Sequence, residues 1–181
     1  MIRRRGILIA IALLVIGIFT ATAAMAGSKT RYLITAKGTE NMDPNALIYS
    51  DFHFDPGTLI VHSGDVIRFI KDEGSEDPHT LTIVDKAQLP KNFDQVLACG
   101  SDPRSICYQV LAEHFPPNGN VVKRVDPDGD GGLDQSGDSI LIFPPEQGQG
   151  ISARITAPAG TNLYFLCSIH PWMQGKIEVT G

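Results

Sequence analysis

Between residues 48 and 84 the chain reads IYSDFHFDPGTLIVHSGDVIRFIKDEGSEDPHTLTIV, and its apolar residues come in short alternating runs. Phe52 and Phe54, Leu59 and Val61, Val66 to Ile70, and Leu81 and Ile83 form these runs, with DPG, SGD and DEGSEDP between them. An apolar residue at every second position marks a strand with one face in a core, because successive side chains point to opposite sides. Clusters of glycine, proline and aspartate supply the turns. The same pattern predicts strands at Arg31–Ala36, Ser139–Phe143, Ile151–Ala157, Asn162–Cys167 and Gly175–Thr180. About six to eight short strands at this spacing predict an all-β chain, folded as an antiparallel β-sandwich or a Greek-key barrel.

Two segments depart from the alternation. Residues 1–26, MIRRRGILIAIALLVIGIFTATAAMA, place Arg3, Arg4 and Arg5 before an apolar run that ends in small residues. This is the order of an export signal with a cleavage site, or of a retained membrane anchor, since Gly6 to Ala26 is nearly long enough to span a bilayer. Either reading puts residues 27–181, as a single domain, outside the cytoplasm. The second departure runs from about residue 85 to 138. It holds Cys99 and Cys107, a predicted short helix over Ser105–His114, Pro116–Pro117 and the acidic run DPDGDGGLDQSGD. We read it as an insertion between core strands, because a structureless loop of that length is rare inside a compact domain.

Composition narrows the class. The chain has 181 residues, with 15 basic and 20 acidic. Three of the basic residues and none of the acidic ones lie in residues 1–26, so the remainder carries 12 against 20, a balance of −8. That charge opposes nucleic-acid binding, which needs basic patches for phosphates, and suits a soluble protein or a basic partner. Three cysteines are present. Cys99 and Cys107 bracket CGSDPRSIC, and in an exported chain they are either a disulfide, worth about 2–3 kcal/mol by chain entropy, or two buried thiols. Cys167 is left over.

The chemistry concentrates around Cys167. The run YFLCSIHPWMQGKIEV offers Cys167, His170 and Met173 at steps of three, on a segment that Pro171 keeps from being a helix. Strand, tight loop and strand is the expected arrangement. Thiolate, imidazole and thioether form a soft donor set; zinc sites do not use methionine, whereas copper is held by one cysteine, two histidines and a weak axial methionine. A second histidine is then needed from His53, His62, His79 and His114. His53 alternates with Phe52 and Phe54 and is expected to face solvent; His62 adjoins a turn, and His114 lies in the insertion. His79 stands where KDEGSEDP turns into the strand HTLTIV, at the end of a sandwich, and is the expected ligand.

On these residues the chain resembles the cupredoxin family, the small blue-copper proteins, and most of all its plastocyanin-like and amicyanin-like members. YFLCSIHPWMQGKIEV matches the amicyanin-like C-x-x-H-x-x-M loop, and FDPGTLIVHSGDVIRF…PHTLTIV matches the stretch leading to the family's first histidine ligand. The resemblance implies a cupredoxin-like Greek-key β-sandwich with one type 1 copper held by His79, Cys167, His170 and Met173. Many relatives carry asparagine after the first histidine, tying the two ligand loops together; here it is Thr80, so the tie is made by a hydroxyl or is missing. The distance from His79 to Cys167 also exceeds that in the smallest members.

Four protein donors leave no open position for a substrate, so the expected role is electron carriage between redox partners and not an enzyme. Copper enzymes that pass electrons to a second copper place histidine beside the cysteine, whereas here the neighbours are Leu166 and Ser168. Pro171 and Trp172 are expected at an apolar end that docks a redox protein, with Trp172 equally open to being a cap over the loop. The alternative is copper buffering or delivery, for which a methionine cluster is lacking: beyond residue 26 only Met42 and Met173 occur. Finally, Asp126, Asp128 and Asp130 alternate before Gly131 as in a calcium loop, with Asp134 in the ninth place. The twelfth place is Gly137 and Asp138 comes one step late, so a calcium site and a solvated acidic turn both stand open.

Overall fold

A computed structural model describes residues 30–144 and 150–181. The predicted export segment, 1–26, lies outside the described residues. Among the described residues no helix is long and apolar enough to cross a membrane.

Among the described residues thirteen strands follow in chain order: β1 Arg31–Lys37, β2 Glu40–Asp43, β3 Leu47–Ser50, β4 His53–Asp55, β5 Thr58–His62, β6 Val66–Lys71, β7 His79–Val84, β8 Arg124–Val125, β9 Gly132–Leu133, β10 Ser139–Ile142, β11 Ile151–Ile155, β12 Asn162–Leu166 and β13 Gln174–Thr180. Helices α1, Phe93–Ser101, and α2, Ile106–His114, lie between β7 and β8. One sheet has the order β4-β1-β6-β11-β9 and the other β5-β13-β12-β7-β10-β8, with β2 and β3 as a separate hairpin. The protein is thus an all-β sandwich with a helical elaboration.

The core lies between the sheets. Alternation along β1, β6, β7, β12 and β13 sends Ile34, Ile67, Phe69, Leu81, Ile83, Phe165 and Ile177 into it, each 2% exposed or less. Phe54 bridges the layers, with its ring 6.0 Å from Phe69 and 5.0 Å from Phe165.

The expectation of wholly antiparallel sheets is corrected. β1 runs parallel to β6, β5 to β13 and β9 to β11. Parallel neighbours need a long returning connection, and here the intervening chain supplies it. Alternation reports which face of a strand is buried, not the direction of its neighbour.

The insertion is more ordered than its composition suggests. Ser105 caps α2 by accepting the Tyr108 N–H, so the predicted helix is present. Helix α1 was not predicted, although Phe93, Val96 and Leu97 fall at helical spacing; it leaves Phe93 and Leu97 exposed and buries only Cys99. Its start is set by Asn92, which accepts the Gln95 N–H. A Cys99–Cys107 disulfide joins the two helices, Cα to Cα 5.2 Å. Beyond them β8 joins one sheet and β9 the other, so the acidic turn between them bridges the two layers.

Through Cys99 and Cys107, helices α1 and α2 pack on Val84 at the end of β7. Val84 packs with Cys99, Cys107 and Leu166, and all six residues of β7 are buried.

Candidate metal centre

Strand pairing builds the site. Antiparallel register sets Leu166 of β12 opposite Thr82 of β7, which brings the residues after β12 beside the start of β7. The Thr80 N–H donates to Cys167 Sγ at 3.3 Å, and the Ser168 N–H donates to Thr80 Oγ1 at 2.7 Å. The loop is closed by Cys167 N–H to the Met173 carbonyl at 3.1 Å and Met173 N–H to the His170 carbonyl at 2.9 Å. Such a loop holds Cys167 and His170 side by side, and β7 supplies His79.

Cys167 Sγ lies 3.9 Å from His79 Nδ1 and 3.7 Å from His170 Nδ1, and the two nitrogens are 3.3 Å apart. A triangle of these sides has its centre about 2.1 Å from each corner, within the range of metal bonds to nitrogen and sulfur. The three residues therefore form a group able to hold a metal ion. Cys167 and His79 are 0% exposed, Met173 1% and His170 7%. Few donors are so enclosed without a guest that satisfies them.

Outer contacts orient the ligands. Ser75, itself fully buried, lies with Oγ 2.5 Å from His79 Nε2. Donation from Nε2–H to Ser75 leaves the Nδ1 lone pair facing the sulfur. The Phe52 ring packs on both imidazoles, 5.0 Å from His79 and 4.8 Å from His170. Thr80 answers the question raised by the missing asparagine: a hydroxyl ties the two loops. Behind it, Thr82 Oγ1 meets Thr80 at 2.9 Å, Ser168 at 2.9 Å and Ser139 at 2.8 Å. Ser139 Oγ then lies 2.8 Å from Nε2 of the buried His114, whose Nδ1 donates to the Val122 carbonyl at 2.6 Å.

Sequence reasoning did not single out Ser75, Phe52, Thr82, Ser139 or a buried role for His114. The one available signal was threonine at alternate positions in HTLTIV, a polar face on a strand that proves to be covered.

Burial governs the protonation states. It drives His79 down to about 3, with the neighbouring His170 and Lys71 adding to the effect, and it lowers His170 and His114 as well. Neutral imidazoles keep their lone pairs for a metal. Burial pushes the Cys167 thiol up, and the Thr80 amide pulls the other way. In the unfolded chain the imidazoles titrate near 6.5, so between that value and the folded ones the unfolded state holds more protons. Stability of the metal-free protein is thus complete above about 6.5 and falls as the pH drops. Asp138, raised by burial to about 6, opposes the trend only below that pH. Thermal unfolding of the metal-free protein should therefore give a lower midpoint at pH 5.5 than at 7.5; an unchanged or higher midpoint would contradict the buried neutral histidines.

The other predicted positions fall as follows. His53 and His62 are exposed. Trp172 is 42% exposed with its ring 5.2 Å from His170. Pro171 is buried, contrary to its expected place on an exposed end, because the Gln174 amide bridges its carbonyl to that of Pro90. The acidic residues form two overlapping groups, Asp126 with Asp128 and Asp130, and Asp128 with Asp134 and Asp138.

No family model matches the chain, and no curated protein matches it. Among solved structures it is similar to a purple cupredoxin from Nitrosopumilus maritimus, at 15% identity over 82% of this chain and 99% of that one, TM-score 0.40. It is also similar to auracyanin A, a blue copper protein from Chloroflexus aurantiacus, at 19% identity over 84% and 99%, TM-score 0.43. A third is the auracyanin of Roseiflexus castenholzii, at 16% identity over 86% and 100%, TM-score 0.45.

Proposed function

We propose that the chain is a type 1 copper protein of the cupredoxin kind that carries electrons between redox partners outside the cytoplasm, with copper held by His79, Cys167, His170 and Met173. The observation that carries this reading is the buried triangle of one sulfur and two Nδ1 atoms, the donor set that copper electron-transfer sites use. Bound there, copper supplies reversible one-electron chemistry.

The chain's own residues hold the donors nearly fixed. Two sheet strands, the Ser75 contact and the Thr80 tie resist movement of His79 and Cys167, so little rearrangement accompanies a change of charge at the centre. Burial at 0–7% excludes water and substrate from the three ligands. It also opposes the delivery alternative, which needs donors that a recipient can reach. Trp172, exposed beside His170, is the expected side of approach for a redox protein.

The test is an absorption spectrum and voltammetry of the copper-loaded protein. An intense visible thiolate-to-copper band and a reversible one-electron wave, with copper retained against a chelator, are expected. Absence of the band, or rapid surrender of copper in both oxidation states, would overturn the reading.

A further inference from the structure

We propose that Asp128, Asp134 and Asp138 bind a hard divalent cation of calcium size, which fastens the turn between β8 and β9 to the start of β10. Each of the three offers a carboxylate oxygen, and these oxygens lie within 4.8 Å of one another. Carboxylates crowd together in many solvated turns, and a second observation separates this one from them. Asp138 is 0% exposed. Its Oδ2 accepts the N–H groups of Asp134 at 2.9 Å and Gln135 at 3.0 Å, while its Oδ1 is buried with no hydrogen-bond partner among the described residues. Asp134 Oδ1 and Thr156 Oγ1 are in the same condition.

Buried oxygens without partners are costly, and an unpaired carboxylate most of all. Arg124, the neighbouring cation, is turned to the carbonyls of Gly131 and Ser152. A cation held among the three carboxylates offsets their charge and gives the buried Asp138 carboxylate a partner. The donors are oxygen only, which selects a hard ion, and an irregular turn suits the adaptable shell of calcium better than the strict octahedron of magnesium.

The arrangement differs from the five-acid calcium loop anticipated from spacing. Asp126 accepts N–H groups from Gly129 at 2.9 Å and Gly131 at 2.7 Å, and Asp130 accepts Gly132 N–H at 2.6 Å, so both brace the turn. Gly137, at φ +107°, adopts a backbone that other residues resist, and Asp138 after it reaches the group despite arriving one place late. Electrostatics agree with the geometry. Burial raises Asp138, with Asp134 and Asp128 adding to it, and burial followed by Asp130 and Asp128 raises Asp134. The consequence reaches the metal centre: the Asp138 carbonyl accepts the Ile83 N–H at 2.8 Å, and β10 pairs with β7 from Ser139 to Ile142, opposite His79.

The test uses the copper-loaded, full chain, stripped of other cations and titrated with calcium chloride by calorimetry and thermal unfolding. A saturable heat and a rise in the unfolding midpoint are expected, with a smaller response to magnesium chloride. Asp138→Asn should lose both; if that buried variant fails to fold, Asp128→Asn, at an exposed position, should show the same loss. No heat and no midpoint shift at millimolar calcium, or an undiminished response in Asp128→Asn, would overturn the proposal, and an equal magnesium response would overturn the assignment to calcium. The calcium readouts need no signal from copper, so they stand or fall apart from the electron-carrier reading.

Discussion

Cys167→Ser should abolish the intense visible absorption of the copper-loaded protein. It should also weaken copper binding by more than the roughly 10–100-fold that loss of an outer contact costs a metal site. The sulfur is one corner of the donor triangle and is fully buried. A serine hydroxyl is nearly the same size but is a hard donor, and burial keeps it protonated, so it cannot replace a thiolate toward copper. The Thr80 N–H keeps an acceptor in the variant, so the fold has no reason to fail. Spectra and copper titrations of the two proteins decide the matter. If the variant keeps the band, Cys167 is not the ligand and the triangle loses its meaning.

Phe165→Ala should lower stability by about 3–5 kcal/mol, the usual cost of emptying an aromatic site in a core. For a chain of this size that corresponds to a fall in the unfolding midpoint of roughly 6–20 °C. The ring is 0% exposed, between the sheets and beside Phe54. It also occupies the space left by Gly175, its partner across β12 and β13: a Cβ added there would sit 2.2 Å from Phe165 Cζ. The cavity would therefore open just below the loop that carries Cys167, His170 and Met173. Thermal unfolding measures the loss, and a fall of only about 1–2 °C would mean that the ring is not part of the packed layer.

Much of the sandwich was legible in the chain, because alternation tells which face of each strand seeks a core. Phe52 and Phe54 turn inward and His53 outward, as their order predicts. The spacing of Cys167, His170 and Met173 was equally plain, since seven residues of tight loop between two paired strands have little freedom to scatter their side chains. Helix α2 was legible in the chain; α1 was not picked out, although Asn92 caps it and Phe93, Val96 and Leu97 fall at helical spacing.

Alternation is silent about what lies beyond a strand. Thr80 and Thr82 make the outer positions of β7 polar, yet they are fully buried and form a hydrogen-bonded support that reaches His114 through Ser139. The parallel partners of β1 and β5, and the burial of Asp138, are equally invisible in local order. The approach of His79 to Cys167, 88 positions away, was expected from the need for a second histidine and from the family resemblance, not from local order. The identity of the donors and the inward faces of the strands are written residue by residue, because chain geometry over a few bonds dictates them. Which distant donors meet, and which polar groups end up shut away from water, follows only from the packing of whole sheets and helices, where long-range pairing and burial outweigh local preference.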